Sequence, residues 1–171
     1  MSRINRELQS ISFEPIGVIY TPHVDLVNMP VQPVGAKGVE GHFELKPELA
    51  QGLTDLDGFS HITLIYFLHE VGGYDLMVKP FMDDRKHGIF ATRSPKRPCA
   101  IGLSTVRLLR IEENKLFFEG ADMLTGTPLL DIKPFFRQTD NRPEAISGWL
   151  DEKDETLAHS QRSDDRFVQS R

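Results

Sequence analysis

Between Val39 and Lys46 the chain alternates with a period of two: Val39, Gly41, Phe43 and Leu45 are interleaved with Glu40, His42, Glu44 and Lys46. Only extended backbone puts every second residue on one face, so this stretch predicts a strand with one buried and one wet side. The theme recurs in short pieces. Ile16–Tyr20 is apolar and stops at Thr21-Pro22, Leu76–Lys79 stops at Pro80, Gly88–Ala91 is short, and Leu129–Ile132 ends near Pro134. Leu103–Ile111 and Leu116–Gly120 flank Glu112-Glu113-Asn114-Lys115, the pattern of a hairpin. His61 to His69 (HITLIYFLH) is apolar on both faces and rich in β-formers, which predicts a central strand.

Eleven prolines and 13 glycines punctuate the chain and leave little room for helices. Two short ones are predicted: Pro47–Leu53, with proline in its first turn, and Asn141–Leu150, with Asn141 as cap. Seven or more short strands at regular spacing predict a mainly β fold, a closed or nearly closed barrel. The strand–helix alternation of a doubly wound sheet is missing, and so are a Gly-x-Gly-x-x-Gly turn and a Walker loop. No Gly-x-Ser-x-Gly elbow is present either.

The 171 residues suit one domain. The expected division is a flexible arm over 1–12, a barrel over 13–138 and a C-terminal extension over 139–171 with a short helix and a polar tail. Six of the 25 acids fall in 151–171, and so polar a segment predicts a tail that orders itself only against a partner. A net charge of −5 excludes a general basic coat for nucleic acid, so any such contact needs a local patch. Cys99 is the sole cysteine, which excludes an internal disulfide and a cysteine-based zinc cluster. The polar N-terminus and the lack of a long apolar run predict a cytoplasmic protein with no membrane partner.

Four segments concentrate chemistry. Ala91–Gly102 carries Arg93, Lys96 and Arg97 within five residues and is stiffened by Pro95 and Pro98, a cationic loop suited to phosphate or carboxylate; a solvated salt-bridged loop is the plain alternative. Gly120–Pro134 holds Asp122 ahead of Thr125-Gly126-Thr127-Pro128, where free backbone groups suit a base edge or a zwitterion. The plain alternative is a turn whose side chains bond their own backbone. Met29–Gly35 offers Gln32 between prolines, or is a linker. His61 and His69 bracket the long strand, eight residues apart and expected on one face, but without cysteine or His-Glu-x-x-His partners no metal is predicted. Asp83 and Asp84 are adjacent and would point apart, which gives no paired-carboxylate site.

Pro15–Ile19 with Gln32-Pro33, Asp57–Ile62, Ala91–Gly102 and Asp122–Pro134, in this order, resemble the TsaA-like family, whose characterised members are TrmO-type tRNA methyltransferases. The resemblance spans roughly residues 13–136. It implies a small single-sheeted β-barrel with one or two short helices, a homodimer, and S-adenosylmethionine as cofactor. The implied activity is methylation of the exocyclic amine of threonylcarbamoyl-adenosine beside the tRNA anticodon. By motif position, Gln32, Pro33, His69, Glu70, Arg93, Leu103, Asp122, Met123, Leu124 and Thr125 are implied at the cofactor. Lys96 and Arg97 would hold the anticodon-loop backbone as substrate contacts. No residue is assigned a catalytic proton transfer. The family's Arg-Pro-Asn-Pro-Ile-Gly reads Arg97-Pro98-Cys99-Ala100-Ile101-Gly102 here, and Thr125 stands where aspartate is usual. These departures keep a second reading open, a small-molecule methyltransferase or a non-catalytic cofactor-binding module. The appended C-terminal domain of longer members is expected to be absent.

Overall fold

Six extended segments pair edge to edge until the sheet meets itself. The computed structural model describes residues 10–153 and 156–167. Its strands are β1 (Gly17–Tyr20), β2 (Glu40–Leu45), β3 (His61–Phe67), β4 (Met77–Val78), β5 (His87–Gly88), β6 (Ile101–Glu112), β7 (Lys115–Glu119) and β8 (Thr127–Pro134). The order β1-β2-β7-β6-β3-β8 closes because β8 also pairs with β1, and β4-β5 forms a separate two-stranded ribbon. Every pairing is antiparallel. Closure removes the unpaired edges that would otherwise template aggregation.

The alternation read around Phe43 is realised directly: Gly41, Phe43 and Leu45 point inward, the others outward. Phe43 faces Ile19 on β1 and Leu116 on β7 in the ladder, and all three are fully buried with Ile62, Leu64, Val106, Phe118 and Leu129. Gly41 is glycine because a Cβ there would come within 2.8 Å of the Phe118 ring. Outside, Tyr20 stacks on His42 and His42 on Phe117, while the Arg110 guanidinium lies 3.6 Å from the Phe117 ring centre. This ladder ties four neighbouring strands on their solvent side.

The structure corrects several expectations. β3 is not buried on both faces: Ile62, Leu64 and Tyr66 face in, while Thr63 and Ile65 are half-buried and Phe67 is 43% exposed. In a barrel of one sheet each strand has a single interior side. Of the 88–91 region only Gly88 lies in a strand, together with His87 before it in β5, and Ile89–Ala91 turns as a short 3₁₀ segment. Pro47–Leu53 is likewise 3₁₀ rather than α. No helix covers 141–150; the first α-helix, α1, is Arg137–Asp140 and Asn141 already lies beyond its end. Pro143 disfavours helical backbone at the residue before it, and Gly148 takes a left-handed φ of 59°.

The polar C-terminal segment packs on its own barrel. The amide N–H of Ser163 donates to Met29 O (2.9 Å), its carbonyl accepts from Asn28 N (2.8 Å), and its hydroxyl donates to Leu26 O (2.6 Å). Arg166 donates to Pro80 O at 2.8 Å and lies over the Phe81 ring. A second short helix, α2 (Leu157–Ser160), precedes these ties. The partner that the acid-rich composition called for is therefore the barrel itself. The arm expected over 1–12 falls mostly outside the described residues. No helix among the described residues is long and apolar enough to cross a membrane.

Candidate functional site

With all pairs antiparallel, β1, β3 and β7 run one way and β2, β6 and β8 the other. The β1–β2, β3–β6 and β7–β8 connections must therefore emerge at the same end of the barrel. These are the connections that carry Gln32, Arg93 and Asp122, which are distant in sequence. They enclose a cleft of about 1350 Å3, with the C-terminal segment as a further wall.

Most of the predicted residues meet there. Gln32, Pro33, His69, Glu70, Arg93, Arg97, Leu103, Asp122, Met123 and Leu124 all line the cleft. Arg93 donates from its guanidinium to Gln32 Oε1 (3.1 Å), which joins two motifs 61 residues apart. His69 and Glu70 lie 3.6 Å apart just beyond β3. Met123 and Leu124 are buried. Two predicted residues are not in the lining. Thr125 turns toward the end of β1, donating its amide to His23 O (2.8 Å) and accepting from Thr21 N on its hydroxyl (3.4 Å). The turn is thus tied to the segment after β1, not to its own backbone. Lys96 also lies outside the lining. His61 and His69 do not meet: His61 is exposed at the start of β3 and bonds Ser60, while His69 follows its other end.

The salt-bridged reading of the cationic loop is not what forms. Among the described residues Arg93, Lys96 and Arg97 take part in no ion pair; Arg97 instead donates to Thr92 O (3.3 Å), bracing its own loop. The nearby Asp83 is satisfied elsewhere, by His87 Nε2 at 3.0 Å and Lys153 Nζ at 3.2 Å. The Arg85 backbone N–H, with His87 and Lys153, holds the Asp83 carboxyl well below the usual carboxylate range. Asp84 faces outward and pairs with Lys79, so the two acids do point apart.

Beneath Asp122 runs a buried polar chain. Ser104 donates to Asp122 Oδ1 at 2.8 Å, and Tyr66 and Ser104 share a hydrogen bond of 3.0 Å. When Asp122 is ionised the Ser104 proton is committed to the carboxylate, and Tyr66 is then the donor to Ser104. Burial pushes the Asp122 carboxyl up to about 7, against the Ser104 bond and the charge of Arg93, which favour ionisation. Burial and the neighbouring Asp122 push Tyr66 up as well. Gly102, the last residue of the stiff loop motif, lies under this chain: a Cβ there would sit 2.1 Å from the Tyr66 ring. Its small size lets the ring lie across β6 and aim its hydroxyl at Ser104.

Ser94 adds a different feature. It is 6% exposed, lines the cleft, and its hydroxyl has no hydrogen-bond partner among the described residues. A buried hydroxyl without a partner costs free energy unless a ligand completes it. Tyr66, Ser94 and Ser104 were missed from sequence. The first and last had a signal: both occupy inward positions of strands whose other inward residues are apolar or glycine.

A cleft of this size, built by loops at one mouth of a small closed β-barrel, with unpaired cations, a perturbed carboxylate and an unfilled hydroxyl, defines a ligand-binding β-barrel rather than a doubly wound nucleotide fold. The chain belongs to the tRNA-methyltransferase O N-terminal domain family, whose profile matches residues 18–141. A probable S-adenosyl-L-methionine-binding protein of Pyrococcus abyssi is 45% identical over 157 residues, covering 92% of this chain and 85% of that protein. The mouse tRNA (adenine(37)-N6)-methyltransferase is 31% identical over 148 residues, 82% of this chain but 34% of its own length. The crystal structure of TrmO from Pseudomonas aeruginosa superposes with a TM-score of 0.70 at 34% identity, covering 82% of this chain and 63% of that one. Against several relatives the chain thus spans well under two-thirds of their length.

Proposed function

We propose that this chain is an S-adenosylmethionine-dependent methyltransferase acting on the exocyclic amine of threonylcarbamoyl-adenosine beside a tRNA anticodon. The carrying observation is the convergence of Gln32, Arg93 and Asp122 on one cleft. Relatives named as S-adenosyl-L-methionine-binding proteins and as tRNA (adenine(37)-N6)-methyltransferases support the reading. The donor set fits the cofactor: a guanidinium without an ionic partner for a carboxylate, a carboxylate for a sulfonium, an amide and an unpartnered hydroxyl for polar edges. When bound, S-adenosylmethionine supplies an electrophilic methyl group. The chain's own part is positioning. Arg93 and Gln32 orient the cofactor, Asp122 offsets its positive charge, and the buried Met123 and Leu124 exclude water. Pro33, His69, Glu70 and Leu103 complete the cofactor contacts in this proposal, Arg97 and Lys96 meet the RNA backbone, and Thr125 serves by shaping the turn.

A homodimer is part of the proposal. Ile65 pairs with Leu103 and Phe67 with Ile101, which sets four apolar side chains on the outside of β3 and β6. Phe67, Ile101 and Leu103 are 43%, 38% and 52% exposed, Ile101 and Leu103 bordering the cleft as well, and such a contiguous patch suits a second copy. We also place the protein in the cytoplasm and retain the division at residues 12 and 138.

The direct test is methyl transfer from S-adenosylmethionine to bulk tRNA by the purified protein, followed by mass spectrometry of nucleosides. Methylated threonylcarbamoyl-adenosine is expected; its absence from tRNA known to carry the unmethylated base overturns the reading. The second reading, a small-molecule methyltransferase or cofactor-binding module, draws on one observation: Glu70, Asp122, Asp151 and Asp164 all line the cleft and repel phosphate. It is supported instead if calorimetry shows cofactor binding while tRNA affinity is weak and falls steeply with salt.

A further inference from the structure

Trp149 is the only tryptophan of the chain and lies beyond the family-matched residues 18–141. It nevertheless lines the cleft. Its indole N–H donates to Ala91 O at 2.8 Å, which fixes the ring edge against the loop that carries Arg93. One ring face stacks on His87, with centroids 4.4 Å apart and planes 22° from parallel. His87 is itself held by the buried Asp83, and Asp83 is tied to Lys153 from Trp149's own segment. The indole is therefore clamped at its edge and on one face, and it is part of the cleft wall. Phe90, next in sequence to Ala91, lines the same cleft and is 78% exposed.

A flat, immobilised aromatic surface is costly to leave wet, and it recognises another flat ring without needing matched hydrogen bonds. The cleft volume of about 1350 Å3 exceeds the roughly 300–1000 Å3 of a pocket for one drug-sized ligand. Both ligands of the proposed function carry a purine. We propose that Trp149, backed by His87 and Asp83, forms one wall of a purine-stacking slot, with Phe90 beside it. This rests on the methyltransferase reading and adds a residue from outside the family-matched segment. The purine is either the adenine of the cofactor or an unstacked base of the RNA.

The sole tryptophan makes intrinsic fluorescence a direct reporter. The full chain is titrated with S-adenosylmethionine alone, and separately with an anticodon stem–loop RNA, each followed in parallel by calorimetry. Stacking predicts quenching by at least one ligand: by S-adenosylmethionine if the slot takes the cofactor's adenine, by the RNA alone if it takes a base. Trp149→Phe keeps the affinity of the quenching ligand within about threefold, whereas Trp149→Leu, which keeps bulk without a π-face, weakens it roughly 5- to 150-fold. The affinity of the non-quenching ligand stays unchanged, which a merely structural role would not give. Binding by calorimetry without quenching, or a Leu variant that binds as tightly as wild type, overturns the slot and leaves the methyltransferase reading standing. Failure of both ligands to bind overturns the methyltransferase reading and the slot with it.

Discussion

Asp122 sits at the balance point between proton and cation. Its carboxyl is raised to about 7 by burial, so the ligand-free protein holds a proton there over much of the range between an exposed aspartate's pKa and neutrality. A raised folded-state pKa gives stability that is present below the unfolded value near 3.8 and lost as pH climbs through 7. Ligand-free Asp122→Asn is therefore expected to melt above wild type at pH 8, with the gap closing by pH 5, as a calorimetric melt at both values will show. Cofactor binding has the opposite sign, because a sulfonium needs the ionised carboxylate. Affinity should rise between pH 5.5 and 8 in wild type and be weaker and flat in Asp122→Asn by titration calorimetry. Gly102→Ala is expected to cost about 1–3 kcal/mol through overpacking, because Tyr66 must leave its place and release Ser104. A variant with wild-type melting and wild-type cofactor affinity would show that the Tyr66–Ser104–Asp122 chain tolerates displacement. At this scale the motif residues were legible because the family's pattern names them. Ser94 and Trp149 were not, since an unpartnered hydroxyl and a clamped ring exist only once loops have met.

The strands were the most legible elements, and the reason is local. Period-two alternation around Phe43 needs no knowledge of neighbours, and the structure buries Gly41, Phe43 and Leu45 on that face and Val39 in part. Phe43→Ala is expected to lose about 3–5 kcal/mol in a urea melt; a near-neutral result would mean the face has no role in the core. β3 shows where local reading stops. Its outward Ile65 and Phe67 have the composition of an interior strand but the position of a surface one. Apolar residues on the wet side of a barrel strand report on association, which single-strand patterning does not encode. The helix expected over 141–150 failed for another local reason, the proline and glycine within it, together with long-range ties that no propensity foresees.

For the molecule as a whole, antiparallel order alone decides that the three chemistry-bearing loops share one mouth, so recognising the strands already contained the geometry of the site. The outward patch on β3 and β6 gives the matching prediction for assembly. Phe67→Asp should shift sedimentation from dimer to monomer while the thermal melt stays cooperative; an unchanged monomer in wild type would remove the dimer from the proposal. Net charge was a weak guide, because three unpaired cations are concentrated on one loop of an acidic chain.

The ties from Ser163 to Leu26, Asn28 and Met29 join positions 134 to 137 residues apart, and the barrel itself closes only when β8 reaches β1 and β3. A chain still emerging from the ribosome therefore has open strand edges until its eighth strand is free, and an incomplete cleft until residues 147–164 are. Contacts so distant in sequence form slowly. The cleft is whole only once the segment around Asp164 has been made and has reached the barrel, so the vulnerable period is the stretch of translation that precedes it.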